Sequence, residues 1–223
     1  MLSRRLFSEG LGSVLLTATV IGSGVLASRL ADGNAAIALL GNTLATAAML
    51  FVLVTSLGGV SGAHFNPAVT LVAALDRHIR PLDAALYIPV QIGGCILGAW
   101  LAHLMFELPV IQVAATDRSG AAQMLSEAVA TFALVFAIRS ALCWKPEAVA
   151  ASVALVIAAG YWWTASTSFA NPAITIARSL SDTFAGVRPE DTPGFIFAQL
   201  VGAVAALVAT KLLFSRPKPE AAT

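Results

Sequence analysis

The tripeptide Asn-Pro-Ala occurs twice, as Asn66-Pro67-Ala68 and Asn171-Pro172-Ala173, each between long apolar segments. Aligned on these tripeptides, Asn66-Pro-Ala-Val-Thr-Leu-Val and Asn171-Pro-Ala-Ile-Thr-Ile-Ala agree in residue type at nearly every position, 105 residues apart. A repeat of that kind constrains the fold more than any single segment does. Asn is a preferred N-cap and Pro a preferred first helical residue, so each tripeptide is a helix start. After Asn66 the apolar run lasts only until Asp76 and Arg77, about ten residues or roughly 15 Å, half the thickness of a bilayer core. The run after Asn171 is similarly short.

The rest of the chain is membrane material. Mean hydropathy is +0.83, 58% of residues are hydrophobic and 11% are charged, far from the composition of soluble domains. Six spans reach the length needed to cross a bilayer: Phe7 to Ser28, Ala35 to Leu57, Leu82 to Phe106, Gln123 to Leu142, Glu147 to Thr164 and Phe195 to Phe214. Arg4 and Arg5 before the first apolar run give it the look of a signal peptide, but the run is too long for one and five more spans follow, so it reads as an uncleaved helix. Cys95 and Cys143 lack metal-ligand spacing, and as thiols on or beside spans they carry no information on redox compartment.

The repeat extends beyond the tripeptides. Ser8-Glu9-Gly10 corresponds to Ser126-Glu127-Ala128, and Gln91 with Gly94 corresponds to Gln199 with Gly202. Each half is therefore three spans with a broken segment between the second and third. Three is odd, so the second copy lies upside down in the membrane, and the functional site of such an inverted repeat falls at the midplane between the copies. The expected organisation is a single channel domain over residues 1–223, with repeat one at 1–115 and repeat two at 120–223.

Two half-helices meeting N-terminus to N-terminus put about half a unit of positive charge each at the midplane. Capping uses the side-chain carbonyl of each Asn and leaves its NH₂ as a fixed donor. A pore there forces a passing water to act as acceptor, which breaks a proton wire, and it opposes cations. The loops 58–65 and 164–170 are non-helical backbone at membrane depth, tolerated only when buried or lining a wet cavity.

Placing both termini inside puts Arg4, Arg5, Arg77, Arg80, Arg139, Lys145, Lys211, Arg216 and Lys218 in the cytoplasm, nine of the thirteen cations, as the positive-inside rule requires. A net charge of +1 offers nothing to nucleic acid. There is no nucleophile with a base, no phosphate loop and no cofactor fingerprint, so neither an enzyme nor a cofactor is expected. His64 and His103 lack acidic or Cys partners at ligand spacing, so no metal site is expected either.

The run Ser61-Gly-Ala-His-Phe-Asn-Pro-Ala-Val-Thr70, with the second tripeptide in a six-span repeat, resembles the signature of the major intrinsic protein family, the aquaporins and aquaglyceroporins, over essentially the whole chain. The resemblance implies an all-α membrane protein of aquaporin-like fold, six transmembrane helices plus two re-entrant half-helices. It also implies homotetramers with one pore per protomer, in which the backbone carbonyls of Gly62, Ala63, His64, Thr167, Ser168 and Phe169 form a ladder for solutes. The partners implied are the lipid bilayer and small uncharged solutes. The expected location is the plasma (inner) membrane, multi-pass, with both termini cytoplasmic. Glu9 and Glu127, at matched places, are implied scaffold residues holding the re-entrant loops; proton or ion coupling is the other reading of intramembrane acids.

The departure from the family pattern follows the second tripeptide directly. Most members have Arg there; this chain has Ile174. By family spacing the other constriction positions fall on Thr46, Ser168 and Ala159, or Gly160 if the preceding loop shifts by one. These neutral, small or medium side chains imply a wide filter passing water, glycerol, urea and undissociated metalloid acids such as arsenous acid. A strictly water-selective channel, a coupled transporter built on an inverted repeat and a structural junction protein are the alternatives. Arg178, one turn beyond Ile174, either supplies part of the missing charge in the outer vestibule or snorkels to the interface. Tyr161, Trp162 and Trp163 read as an interfacial aromatic belt. The Cys that makes some members mercury-sensitive falls at Ser168, so that route of inhibition is not expected.

Overall fold

In the computed structural model, which describes residues 1–214, the tripeptides do start helices. Among the described residues the regular elements are all helices: α1 (Leu2–Leu30), α2 (Ala35–Ser61), α3 (Pro67–Leu75), α4 (Pro81–Met105), α5 (Ala121–Trp144), a 3₁₀ turn (Pro146–Ala148) running into α6 (Val149–Trp163), α7 (Pro172–Ser179) and α8 (Thr192–Phe214). Among the described residues, six helices are long and apolar enough to cross a membrane, and they coincide with the six expected spans to within a few residues. The repeat-two tail, including Arg216 and Lys218, lies outside the described residues.

The two halves pack alike. In the first, α1 lies along α4 and α2; in the second, α5 lies along α8 and α6. Small residues allow the backbones to touch. A Cβ on Gly98 would sit 2.4 Å from the Val14 carbonyl oxygen, and one on Gly202 would sit 2.0 Å from that of Ala128, distances that only glycine permits, as in membrane helix pairs joined through small residues. The short helices α3 and α7 fill the gaps between the long ones, and α3 reaches α8 while α7 reaches α4. Each half therefore closes on the other's broken helix, and the polar loops leading into α3 and α7 converge at the centre of the apolar bundle.

Asp76 ends α3 on the face of the bundle that carries the N-terminus. Its carboxylate takes Arg139 Nη1 of α5 at 2.5 Å and Lys211 Nζ of α8 at 3.2 Å. On the same face Asp83 pairs with Arg5 at 2.9 Å and Arg80 at 2.8 Å. Arg118, Arg178 and Arg188 gather at the opposite end with Asp117 and Asp191.

Candidate functional site: the paired Asn-Pro-Ala loops

Each Asn caps its own half-helix and also reaches the other. Asn66 Oδ1 accepts from the N–H groups of Ala68 and Val69 at 2.9 and 3.4 Å, while its Nδ2 donates to Ala170 O at 2.7 Å. In the second repeat Asn171 Oδ1 accepts from Ala173 and Ile174 at 3.0 and 3.3 Å, and its Nδ2 donates to Phe65 O at 2.8 Å. One of the two amide hydrogens is thus spent on fixing the side chain and the second remains for a ligand. The carbonyls of Phe65 and Ala170 as cross-repeat anchors are not visible in the sequence, because a backbone acceptor leaves no residue-type signal.

The loops before the asparagines share a backbone program. Gly62, Ala63 and Phe65 have positive φ (92°, 51° and 47°), and so do Thr167, Ser168 and Ala170 (60°, 52° and 48°), the same three places in each repeat. A non-glycine residue in this left-handed region costs about 1–2 kcal/mol, so something else must hold the loops. Glu9 does so in the first half, accepting from His64 N at 3.0 Å and Phe65 N at 2.7 Å. Glu127 does so in the second, accepting from Phe169 N and Ala170 N at 2.9 Å each. Both carboxylates are fully buried, and each takes a further bond from a glutamine, Gln91 at 2.8 Å and Gln199 at 2.6 Å. Charge-assisted bonds of this kind are about twice as strong as neutral ones. With the N–H groups turned onto the carboxylates, the carbonyls of Gly62, Ala63, His64, Thr167, Ser168 and Phe169 accept no protein hydrogen bond among the described residues.

Ala63, His64, Ser168, Phe169 and both asparagines border a narrow cavity of about 60 Å³, whose opposite wall is apolar, with Leu50, Leu134, Val153 and Ile157. It runs into a wider one of about 410 Å³ toward the N-terminal face, with Ala63, His64, Val69 and Ile138 on the wall of both. Gly62 lines only the wider cavity, and Thr167 lines neither. His64 Nδ1 lies 3.1 Å from Thr70 Oγ1. His103 does not line either cavity; it is bonded to Val110 O at 2.8 Å and Ser181 Oγ at 2.9 Å.

Thr46, Ser168 and Ile174 line the narrow cavity together. Ala159 does not: it is exposed on the outer side of α6. The cavity face of α6 is Val153, Ile157 and Tyr161, spaced by four as one helix face requires, and counting back from Asn171 through an irregular loop lands on the wrong side of that helix. Gly160 does not line the cavity either; it is the space beside Ser168, whose Oγ would be 2.5 Å from a Cβ there. Tyr161 is likewise not part of a belt. It is 4% exposed and its hydroxyl donates to Thr46 Oγ1 at 3.3 Å, whereas Trp162 and Trp163 are 50% and 55% exposed. Arg178 is 3% exposed and lines the narrow cavity, so it does not snorkel to the surface.

The profile of the major intrinsic protein family matches residues 1–145, well over half of the chain. The chain belongs to that family. Membership makes it a membrane channel for water or other small solutes and not an enzyme. Over 218 residues, 98% of this chain and 93% of the relative, it is 51% identical to the aquaglyceroporin AqpS of Rhizobium meliloti (strain 1021). It is 29% identical over 195 residues to the aquaporin NIP2-3 of Zea mays, covering 83% of this chain and 63% of that protein. The X-ray structure of the aquaglyceroporin from Plasmodium falciparum superposes with a TM-score of 0.67 at 19% identity, over 94% of this chain and 96% of that one, a likeness of fold. In this member of the family, then, the paired tripeptides, the two carboxylate-held loops and the cavity between them are the candidate site.

Proposed function

We propose that the chain is a passive channel for water and small uncharged solutes, namely glycerol, urea and undissociated metalloid acids such as arsenous acid, in which the paired asparagines and half-helix N-termini oppose protons and ions. The single observation that carries the solute range is Ile174 on the cavity wall, an aliphatic side chain where most family members place a guanidinium. The unbonded carbonyls of both loops supply acceptors along one wall, and the apolar wall across from them gives a hydrated solute nothing to bind, so passage needs no tight site. We further read residues 1–223 as one channel domain made of repeats 1–115 and 120–223, assembled as a homotetramer in the plasma (inner) membrane with both termini cytoplasmic. The gathering of Arg5, Arg80, Arg139 and Lys211 on the N-terminal face supports that orientation by the positive-inside rule.

Tyr161 favours a second reading. A phenol in contact with Thr46 narrows the constriction from the α6 side, and a strictly water-selective channel follows if it narrows it enough. Stopped-flow light scattering on proteoliposomes separates the two. Glycerol, urea and arsenite entering well above the rate of empty liposomes support the broad range; water alone entering above that rate supports the narrow one.

A further inference from the structure

Position 174 lacks a guanidinium, yet the cavity has one. Arg178 stands one helical turn beyond Ile174 on α7, and helical side chains lean back toward the N-terminus of their helix. Its head returns to the level of the loop: Cζ lies 3.3 Å from the centroid of the Phe169 ring, next to Ser168, and both Phe169 and Arg178 line the narrow cavity. Nε donates to Ala185 O, whereas Nη1 and Nη2 make no hydrogen bond to protein among the described residues. A second guanidinium approaches the same ring. Arg118, from the connection between α4 and α5, has Cζ at 5.1 Å from that centroid and is held by Gly186 O at 2.9 Å and Ser166 O at 3.3 Å.

Among the described residues neither side chain has a carboxylate partner, although Arg5, Arg139 and Arg188 all have one. An unneutralised buried cation is costly. The aromatic face and the backbone carbonyls offset part of that cost while leaving the field of the charge directed into the cavity. If the only task of Arg178 were to tie α7 to the loop at Ala185, a neutral donor would serve.

We propose that Arg178, seated on Phe169 and backed by Arg118, is the specificity-determining cation of this channel, reaching the constriction from seven residues after Asn171 instead of three. It excludes cations, and its free Nη groups donate to the hydroxyl or carbonyl oxygens of neutral solutes. Because residue 174 is aliphatic, exclusion of charge and selection by size fall to different side chains. This rests on the channel reading, and parent protein moving water no faster than empty liposomes removes that reading before any variant is made.

The test compares parent and Arg178→Gln in proteoliposomes, measuring potassium and proton leak against osmotic water permeability in one preparation. The ratio of leak to water permeability is expected to rise on the order of a hundredfold, the effect of one unit charge at about 5 Å with an effective dielectric constant of about 20. Adding Ile174→Arg to Arg178→Gln is expected to bring the ratio back toward that of the parent. A ratio unchanged in Arg178→Gln overturns the proposal and leaves Arg178 as a structural tie to Ala185. Where Arg178→Gln is not recovered as folded protein, Phe169→Leu decides: it removes the seat and keeps the tie, so a raised ratio supports the proposal and a parental ratio overturns it.

Discussion

Glu9 and Glu127 show how single side chains make irregular backbone affordable inside a membrane. Each accepts two loop N–H groups and a glutamine amide, and those bonds secure the left-handed residues that precede each asparagine. Replacing Glu127 by Gln keeps the size but puts an NH₂ where one of the N–H donors must be met. Because a hydrogen bond to a charged group is worth about 1.5–3 kcal/mol, the variant is expected to lose stability of that order and most of its water permeability, measured by thermal unfolding in detergent and by stopped flow. The same residue scale shows where the site was legible and where it was not. Asn66 and Asn171 could be named from the repeat because capping demands that residue type ahead of a helix; the two acids were matched by the repeat, but their anchoring role came only from the family resemblance. Tyr161 could not be placed by spacing, since the loop 164–170 between it and Asn171 has no fixed rise per residue, although the fourfold step Val153, Ile157, Tyr161 was the available signal. Tyr161→Ala is expected to raise the ratio of glycerol to water permeability, as removal of the ring beside Thr46 widens the constriction; an unchanged ratio would place the narrowest point elsewhere.

Among the elements, the long helices can touch because glycine stands at the crossing points. Gly94 and Gly98 let α4 meet α1, and Gly202 lets α8 meet α5 at the corresponding place. A methyl group on Gly202 has no space, with the Ala128 carbonyl oxygen at 2.0 Å, so Gly202→Ala must push α5 and α8 apart at a cost of about 1–3 kcal/mol. Gly93 is a control one residue from the α1 crossing, because nothing lies within 4 Å of a Cβ there. Thermal unfolding in detergent is expected to rank Gly202→Ala well below Gly93→Ala, and equal midpoints would mean that the helices separate without penalty. The six spans were legible because length and apolarity alone decide them, and the half-helices because Asn-Pro-Ala starts a helix and the apolar run stops early. The side of each helix that meets a neighbour was not, for these helices are apolar nearly all round and carry no stripe to read.

At the scale of the molecule, the two repeats are bound to each other at three levels: by the crossed asparagine bonds at the centre, by His103 on Ser181 toward one end, and by Asp76 at the other, where the last residue of the α3 cap holds α5 and α8 through Arg139 and Lys211. Charge counting along the chain assigned these cations to a side but could not show that one carboxylate gathers two of them from the other repeat. Burial alone would raise the Asp76 carboxyl, but the bonds from Arg139 and Lys211 outweigh it and hold the group below its ordinary value of 3.8. The sign follows: a folded pKa below the unfolded one means that the unfolded chain binds the proton more readily, so the stability contributed by Asp76 is fully present above about pH 5 and is lost as the pH falls through about 4 toward the depressed value. Other carboxylates titrate in the same window, and the difference between parent and Asp76→Asn isolates this one. Thermal midpoints measured from pH 3 to pH 7, about the range over which carboxylates titrate, are expected to separate parent from variant near neutrality and to converge on acidification, because protonated Asp76 and Asn hold the two cations equally poorly. Parallel curves over that range would mean that Arg139 and Lys211 find other partners, and that the two repeats do not depend on Asp76 to stay joined at this face.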